Sequence, residues 1–428
     1  MYTRPALPAR TSPPLDPISL VALFADRRDR VALVALFAGA LLLEAGTALW
    51  GLSGTRIAFS QLGVFFDGHL YIEIAKSFPL PYSESGVRYA GQAPGYPALL
   101  YLGRLATFGG LDWGALALAG SWLPAALCAP LCFVLCRQVG APPVFGALLF
   151  VLANPRWIGL SATAAPEPIA VLLAMLCLHA HLRGARLAAM LWLAAAVLAR
   201  FQAILLGLPL AFDLLVLRRE RDPASWLRLS IPPLVLALYH LYLRLRIPGF
   251  ETVFDAHAVW WQTGFTWPLA EFLTRSWDLS WRPAMPLVPV AWATLLVYLA
   301  AIVVGLRARD GRLVVLPLWV AVIVLFHVSL VGPIGVSDFP RLSILAWPAA
   351  ALILARALAP VRPRWVVGAV LALACAFGVQ FSQRQIRWAV VAQRSVPWID
   401  DAIRHIADDH PRWIIDKLVD SGAVQIQR

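Results

Sequence analysis

The chain has 428 residues, of which 60% are hydrophobic and 14% charged, and its net charge is +12. Soluble domains carry about 45–50% apolar and 25% charged residues. With a mean hydropathy of +0.72, a globular soluble protein, a disordered chain, a fibre and a secreted disulfide scaffold are all excluded, which leaves an all-α, polytopic integral membrane protein. The basic excess is nearly all Arg and falls in short loops between apolar runs. There it sets topology and meets anionic lipid headgroups, and no basic stripe interleaved with aromatics points to nucleic acid.

Residues 1–30 begin Pro-rich, and the Ile18 to Ala25 stretch is too short to span. Asp26, Arg27, Arg28, Asp29 and Arg30 follow it, the reverse of a signal peptide, so this segment is expected in the cytoplasm. Apolar runs follow at about 31–50, 113–136, 142–160, 167–182, 187–217, 229–247, 286–306, 313–331, 342–359 and 364–381. Arg137, Arg183, Arg186, the cluster from Arg218 to Arg228, Arg307, Arg309, Arg312, Arg356, Arg362 and Arg364 mark the inner loops. The 187–217 run has basic clusters on both sides, so the chain crosses an even number of times between them. At 31 residues it is too long for one span and short for two. Two half-length helices meeting near Ala199, Arg200, Phe201 and Gln202 satisfy both limits, and broken helices at membrane depth line protein-enclosed space.

The reading gives about eleven transmembrane helices in a domain over residues 31–381, with the N-terminus inside. Outer loops at 51–112 and 248–285 carry amphipathic patches suited to the membrane surface. A polar outer tail over 382–428 holds one short helix through Ile399, Ile403 and Ile406. Cys128, Cys132 and Cys136 recur along one helix face and, with Cys177 and Cys375, read as small apolar packing residues. Glu44, Asp213, His179, His181, His240 and His327 lie in or near spans and read as structural hydrogen-bonding groups.

The densest chemical signal is Phe66-Asp67-Gly68-His69-Leu70-Tyr71-Ile72-Glu73-Ile74-Ala75, followed by Gln92-Ala93-Pro94-Gly95-Tyr96-Pro97. Asp67 stands at a helix start, where a carboxylate is a favoured N-cap. Cap and catalyst are compatible roles there. An Asp-Gly-x-x-Tyr-x-x-Ile-Ala element after the first span, then a Pro-x-Tyr-Pro-like element, resembles the GT-C membrane glycosyltransferases. More particularly, it resembles the second mannosyltransferase of GPI-anchor assembly and its bacterial homologues. Asn154-Pro155 with Ser161 to Glu167, the Leu198-Ala199-Arg200 break, and Ala256-His257-Ala258-Val259-Trp260 with Gly264-Phe265 and Pro268-Leu269 resemble further family segments. Pro94-Gly95-Tyr96-Pro97 replaces a bulkier pattern, and Ala199 stands where Thr is usual.

The resemblance implies a polyprenyl-phosphate sugar donor, a lipid, glycan or protein acceptor, and inverting transfer of one sugar, mannose by likeness. The enzyme would sit in a bacterial inner membrane with its site facing the periplasm or cell exterior. An attacking hydroxyl needs one positioned carboxylate, and Asp67 is the expected base. A phosphodiester leaves already anionic, so fixed positive charge helps where a glycosidase would use an acid. Arg341 and Arg200 are the expected donor-phosphate residues. Arg341, after Pro340 on the outer side, reads as opening a span where the helix dipole disfavours a cation, so it either holds an anion or snorkels to headgroups. Arg200 lies well inside the apolar region, at a cost of at least ~2.5–3.5 kcal/mol, and must face a cavity or a partner.

Glu167, His69, Tyr96, His257 and Trp260 are the expected acceptor or sugar contacts; Glu167, between Pro166 and Pro168, also suits a helix N-terminus. Glu73 is six positions from Asp67 and is expected to face elsewhere. No dedicated metal site or certain cofactor is implied, although two carboxylates with a phosphate can hold Mg2+ or Mn2+. A transporter or flippase for a lipid-linked substrate is the alternative, sharing broken helices and intramembrane charge.

Overall fold

The computed structural model describes residues 26–55, 57–79, 91–246, 252–253, 264–274, 287–308, 310–311, 313–331, 335–361 and 364–394. The segments expected at 1–25 and around Ile399, Ile403 and Ile406, together with His257 and Trp260, lie outside those residues. The helices in chain order are α1 (Arg27–Leu52), α2 (Gly68–Ser77), α3 (Gly95–Ala106), α4 (Trp113–Gln138), α5 (Pro143–Leu152), α6 (Pro155–Ala162), α7 (Glu167–Leu182) and α8 (Arg186–Ala199). They continue as α9 (Phe201–Leu217), α10 (Pro223–Leu229), α11 (Ile231–Arg246), α12 (Ala270–Thr274), α13 (Leu287–Arg307), α14 (Val315–Val328), α15 (Gly335–Leu342), α16 (Trp347–Leu358) and α17 (Arg364–Arg394).

Four of these are long and apolar enough to cross a membrane, or up to seven if each bent pair is one span, among the described residues. The eleven crossings expected from the sequence exceed that count, because α7, α8, α9 and α14 are apolar but short. Large apolar side chains such as Leu42 and Leu373 are each 72% exposed, as a lipid-facing surface requires and a soluble one avoids.

The run at 142–160 is not one straight helix. Its halves, α5 and α6, meet at 73°. Pro155 cannot donate an amide hydrogen and disfavours helix at Asn154. The Asn154 side chain instead caps α6, accepting from the Arg156 and Trp157 amides at 3.0 and 3.1 Å. The bend places Arg156 in the first turn of a new helix. The 187–217 run does break at Arg200, which is extended (φ −157°, ψ 115°) between α8 and α9. Beyond it α9 passes from a 3-10 turn through one α turn to a π turn at Phe212–Leu217.

Cys128, Cys132 and Cys136 are fully buried in the core, among α4, α5 and α7. Indole hydrogens tie the core together: Trp319 donates to the Leu345 carbonyl and Trp347 to the Phe150 carbonyl, each at 2.8 Å. The last helix does not end near 381. α17 continues to Arg394, and Ser382, Gln383 and Gln385, expected in a surface tail, are buried.

Candidate active site

The site is built first by the turn before α2. Phe66 takes a left-handed conformation (φ 57°), a strained state for a bulky residue costing on the order of 1–3 kcal/mol. Gly68 follows Asp67 because a Cβ there would lie 2.2 Å from the Gly63 carbonyl oxygen. The turn therefore aims Asp67 in one direction. Asp67 occupies the N-cap position but makes no capping bond; its carboxylate is turned onto Arg341.

Arg341 does not open a span. It lies in the last turn of α15, where a helix dipole favours a cation, because Pro340 falls inside this short helix instead of starting the next one. Its Nη2 donates to Asp67 Oδ2, its Nε donates to Glu167 Oε1 at 2.6 Å, and its Nη1 lies 3.8 Å from Asp338 Oδ2. The same Glu167 oxygen accepts from Arg200 Nη1. Asp338 Oδ1 in turn accepts from Arg156 Nη2 at 3.1 Å, and Arg156 Nη1 donates to Gln385 Oε1 at 2.7 Å. Three carboxylates and three guanidinium groups thus form one neutral network, the form in which charge is tolerated away from water.

The two ends of the network differ. Glu167 is fully buried and the Arg200 side chain is 9% exposed, whereas the Asp67 side chain is 35% exposed. Burial pushes the Asp67 carboxyl upward, but the adjoining Arg341 guanidinium outweighs it and holds the group below the usual carboxylate range. Asp67 is therefore ionised and accessible, as a base must be. Beside it lies a recess of about 30 Å³ lined by Asp67, Arg156, Thr163, Arg341, Ser382 and Gln385, room for roughly two waters. A larger cavity of about 90 Å³ lies elsewhere, among apolar side chains such as Val304, Leu316 and Ile353.

Asp67, Arg341, Glu167 and Arg200 are brought together from four separate segments. Glu167 is not presented to an acceptor: it lies beneath Arg341 as counter-ion to two arginines. Tyr96 is also withdrawn, fully buried with its hydroxyl donating to the Ala117 carbonyl at 2.6 Å and its ring edge-on to Tyr71. His69 is half-buried, and its charge adds to the pull that lowers Asp67. Glu73 faces away, 3.4 Å from Lys76.

Sequence reasoning passed over Arg156, Asp338, Ser382 and Gln385. An Arg within the apolar run at 142–160, away from the basic clusters that flank the runs, was the available signal for Arg156. Among the described residues no group of three metal-ligating side chains is assembled. Each acid in the network faces a guanidinium, so these residues are arranged for ion pairs and do not fit a resident Mg2+ or Mn2+.

No protein-family model and no curated protein matches the sequence. Among solved structures the chain is similar to ArnT from Cupriavidus metallidurans in the apo state, with a TM-score of 0.50 and 19% identity over 81% of this chain and 69% of that one. It is also similar to ArnT from the same organism bound to undecaprenyl phosphate, with a TM-score of 0.50 and 18% identity over 90% of this chain and 75% of that one. At this identity the likeness establishes the fold alone, and with the apolar helices it marks an integral membrane protein.

Proposed function

We propose that this protein is a membrane glycosyltransferase that moves a single sugar, with inversion, from a polyprenyl-phosphate donor to a hydroxyl of a lipid, glycan or protein acceptor. The donor class is supported by the fold shared with a protein whose structure holds undecaprenyl phosphate. Mannose, and a site on the periplasmic side of a bacterial inner membrane, rest on the sequence resemblance and the Arg distribution.

In this reading Asp67 accepts the proton of the attacking hydroxyl. The hydroxyl oxygen bonds to the anomeric carbon, the carbon–oxygen bond to phosphate breaks on the opposite face, and the polyprenyl phosphate leaves as an anion with no proton required. Arg341 stabilises the charge that develops on that phosphate. Glu167 and Arg200 lie behind Arg341 and fix its position without touching substrate. The observation that carries the proposal is the Asp67–Arg341 pair, an accessible ionised carboxylate held on a partly buried guanidinium.

The test is transfer by purified protein from a panel of polyprenyl-phosphate sugars to lipid extracts. Asp67→Asn is expected to lower the rate by ~10²-fold or more, the scale of general-base loss. A wild-type protein that moves lipid-linked sugar across vesicles but transfers none would replace this reading with the transporter.

A further inference from the structure

In an inverting displacement the base and the leaving group stand on opposite sides of the reacting carbon. The hydroxyl lies about 2.6–3.2 Å from its base and about 3–3.5 Å from the carbon it attacks, so the departing phosphate begins beyond both steps. Arg341 is bonded directly to the base, and its reach toward that phosphate is limited by this grip. A second cation set back from Asp67 completes the geometry.

Arg156 has that position. It lines the same recess as Asp67 and Arg341, and Asp338 links it to Arg341. Its guanidinium is aimed from two sides, by Asp338 on α15 and Gln385 on α17, while the Asn154 cap fixes its backbone. Asp338 touches both guanidinium groups, Arg156 at 3.1 Å and Arg341 at 3.8 Å, and so occupies the place of a bridging anion. The Arg156, Asp338 and Arg341 side chains are 14%, 16% and 19% exposed, unlike the sealed Glu167–Arg200 pair. Thr163 and Ser382 also line the recess, with their hydroxyls donating to the Gly159 and Gly378 carbonyls at 3.0 and 2.7 Å, so the donors free to meet an anion there are the guanidinium groups.

We propose that Arg156 and Arg341 form a two-guanidinium seat for the phosphate of the lipid-linked donor, with Asp338 as the carboxylate that the phosphate displaces. The proposal rests on the glycosyltransferase reading and adds Arg156 and Asp338 to it. Two planar forks on one recess suit a phosphate's several oxygens better than one.

The test measures binding of sugar-free polyprenyl phosphate to the purified full-length protein in detergent, with the thermal midpoint of each variant recorded alongside. Arg156→Gln is expected to weaken binding by ~10-fold or more, equivalent to about 1.4 kcal/mol, and Arg156→Lys to fall between it and wild type. Asp338→Asn is expected to tighten binding several-fold, because a competing carboxylate is gone. A structural salt bridge predicts the reverse, and a misfolded variant cannot bind more tightly. Unchanged binding in Arg156→Gln, or weakened binding in Asp338→Asn, overturns the seat and leaves the glycosyltransferase reading standing. Phosphatidic acid bound as tightly as polyprenyl phosphate would assign the seat to ordinary headgroups and overturn the donor assignment. Wild-type protein that binds no polyprenyl phosphate would overturn the proposed function, and the seat with it.

Discussion

Glu167→Gln is the most informative perturbation of the buried half of the network. Glu167 is fully buried and neutralises two arginines through one oxygen. When it becomes an amide, Arg341 keeps Asp67 and Asp338. Among the described residues Arg200 has no ion-pair partner besides Glu167, and its Nε already lacks a hydrogen-bond partner. The loss therefore falls on Arg200. Breaking a buried pair by removing one member costs about 3–5 kcal/mol. The lower end applies here, because Glu167 Oε2 is itself unsatisfied and the pair is not ideally solvated to begin with. For a chain of this size that corresponds to a thermal midpoint lower by on the order of 3–4 °C, measured by tryptophan fluorescence in detergent. The double variant Glu167→Gln/Arg200→Leu should regain most of the loss, since replacing both partners of a buried pair is often nearly neutral. A single variant within about 1 °C of wild type, or a double variant that merely adds a second loss, would refute the assignment of Glu167 as the charge that makes Arg200 tolerable.

Two further expectations follow from neighbouring elements. Burial pushes the Glu73 carboxyl on α2 from 4.5 up to about 7, with Lys76 offsetting part of the effect. Because the folded value is raised, this group's stabilising contribution is complete below about 4.5 and is lost as pH rises through about 7. Glu73→Gln should therefore match wild type at low pH and exceed it above neutrality by up to roughly 3 kcal/mol; an identical difference in chemical denaturation at both pH values would contradict the burial argument. Gly95→Ala would place a Cβ 2.8 Å from the backbone of Leu198 and Ala199, which cannot move aside without shifting Arg200. A loss of about 1–3 kcal/mol, read as a lower thermal midpoint with reduced transfer, is expected; an unchanged midpoint would mean that α3 and α8 slide freely.

The membrane class, most helix positions and the break at Arg200 were legible in the sequence because they depend on short-range properties. Apolar run length, the basic clusters flanking 187–217 and the Asp67-Gly68 turn each act within a few residues. The same locality misled at Arg341, read as opening a span after Pro340 when both lie within α15, and at 142–160, where Asn154-Pro155 bends the chain. It also ended α17 too early, because Ser382 and Gln385 look like surface residues until another helix covers them. The chain that joins Asp67 to Arg341 and Glu167 to Arg341 spans 274 and 174 positions, and Arg156 meets Asp338 across 182. Sequence patterns identify which arginines and carboxylates lie in apolar surroundings and must be neutralised. Only the packing of helices decides which acid neutralises which arginine, because ion pairing in a low-dielectric interior depends on separations of a few ångströms that chain order does not determine.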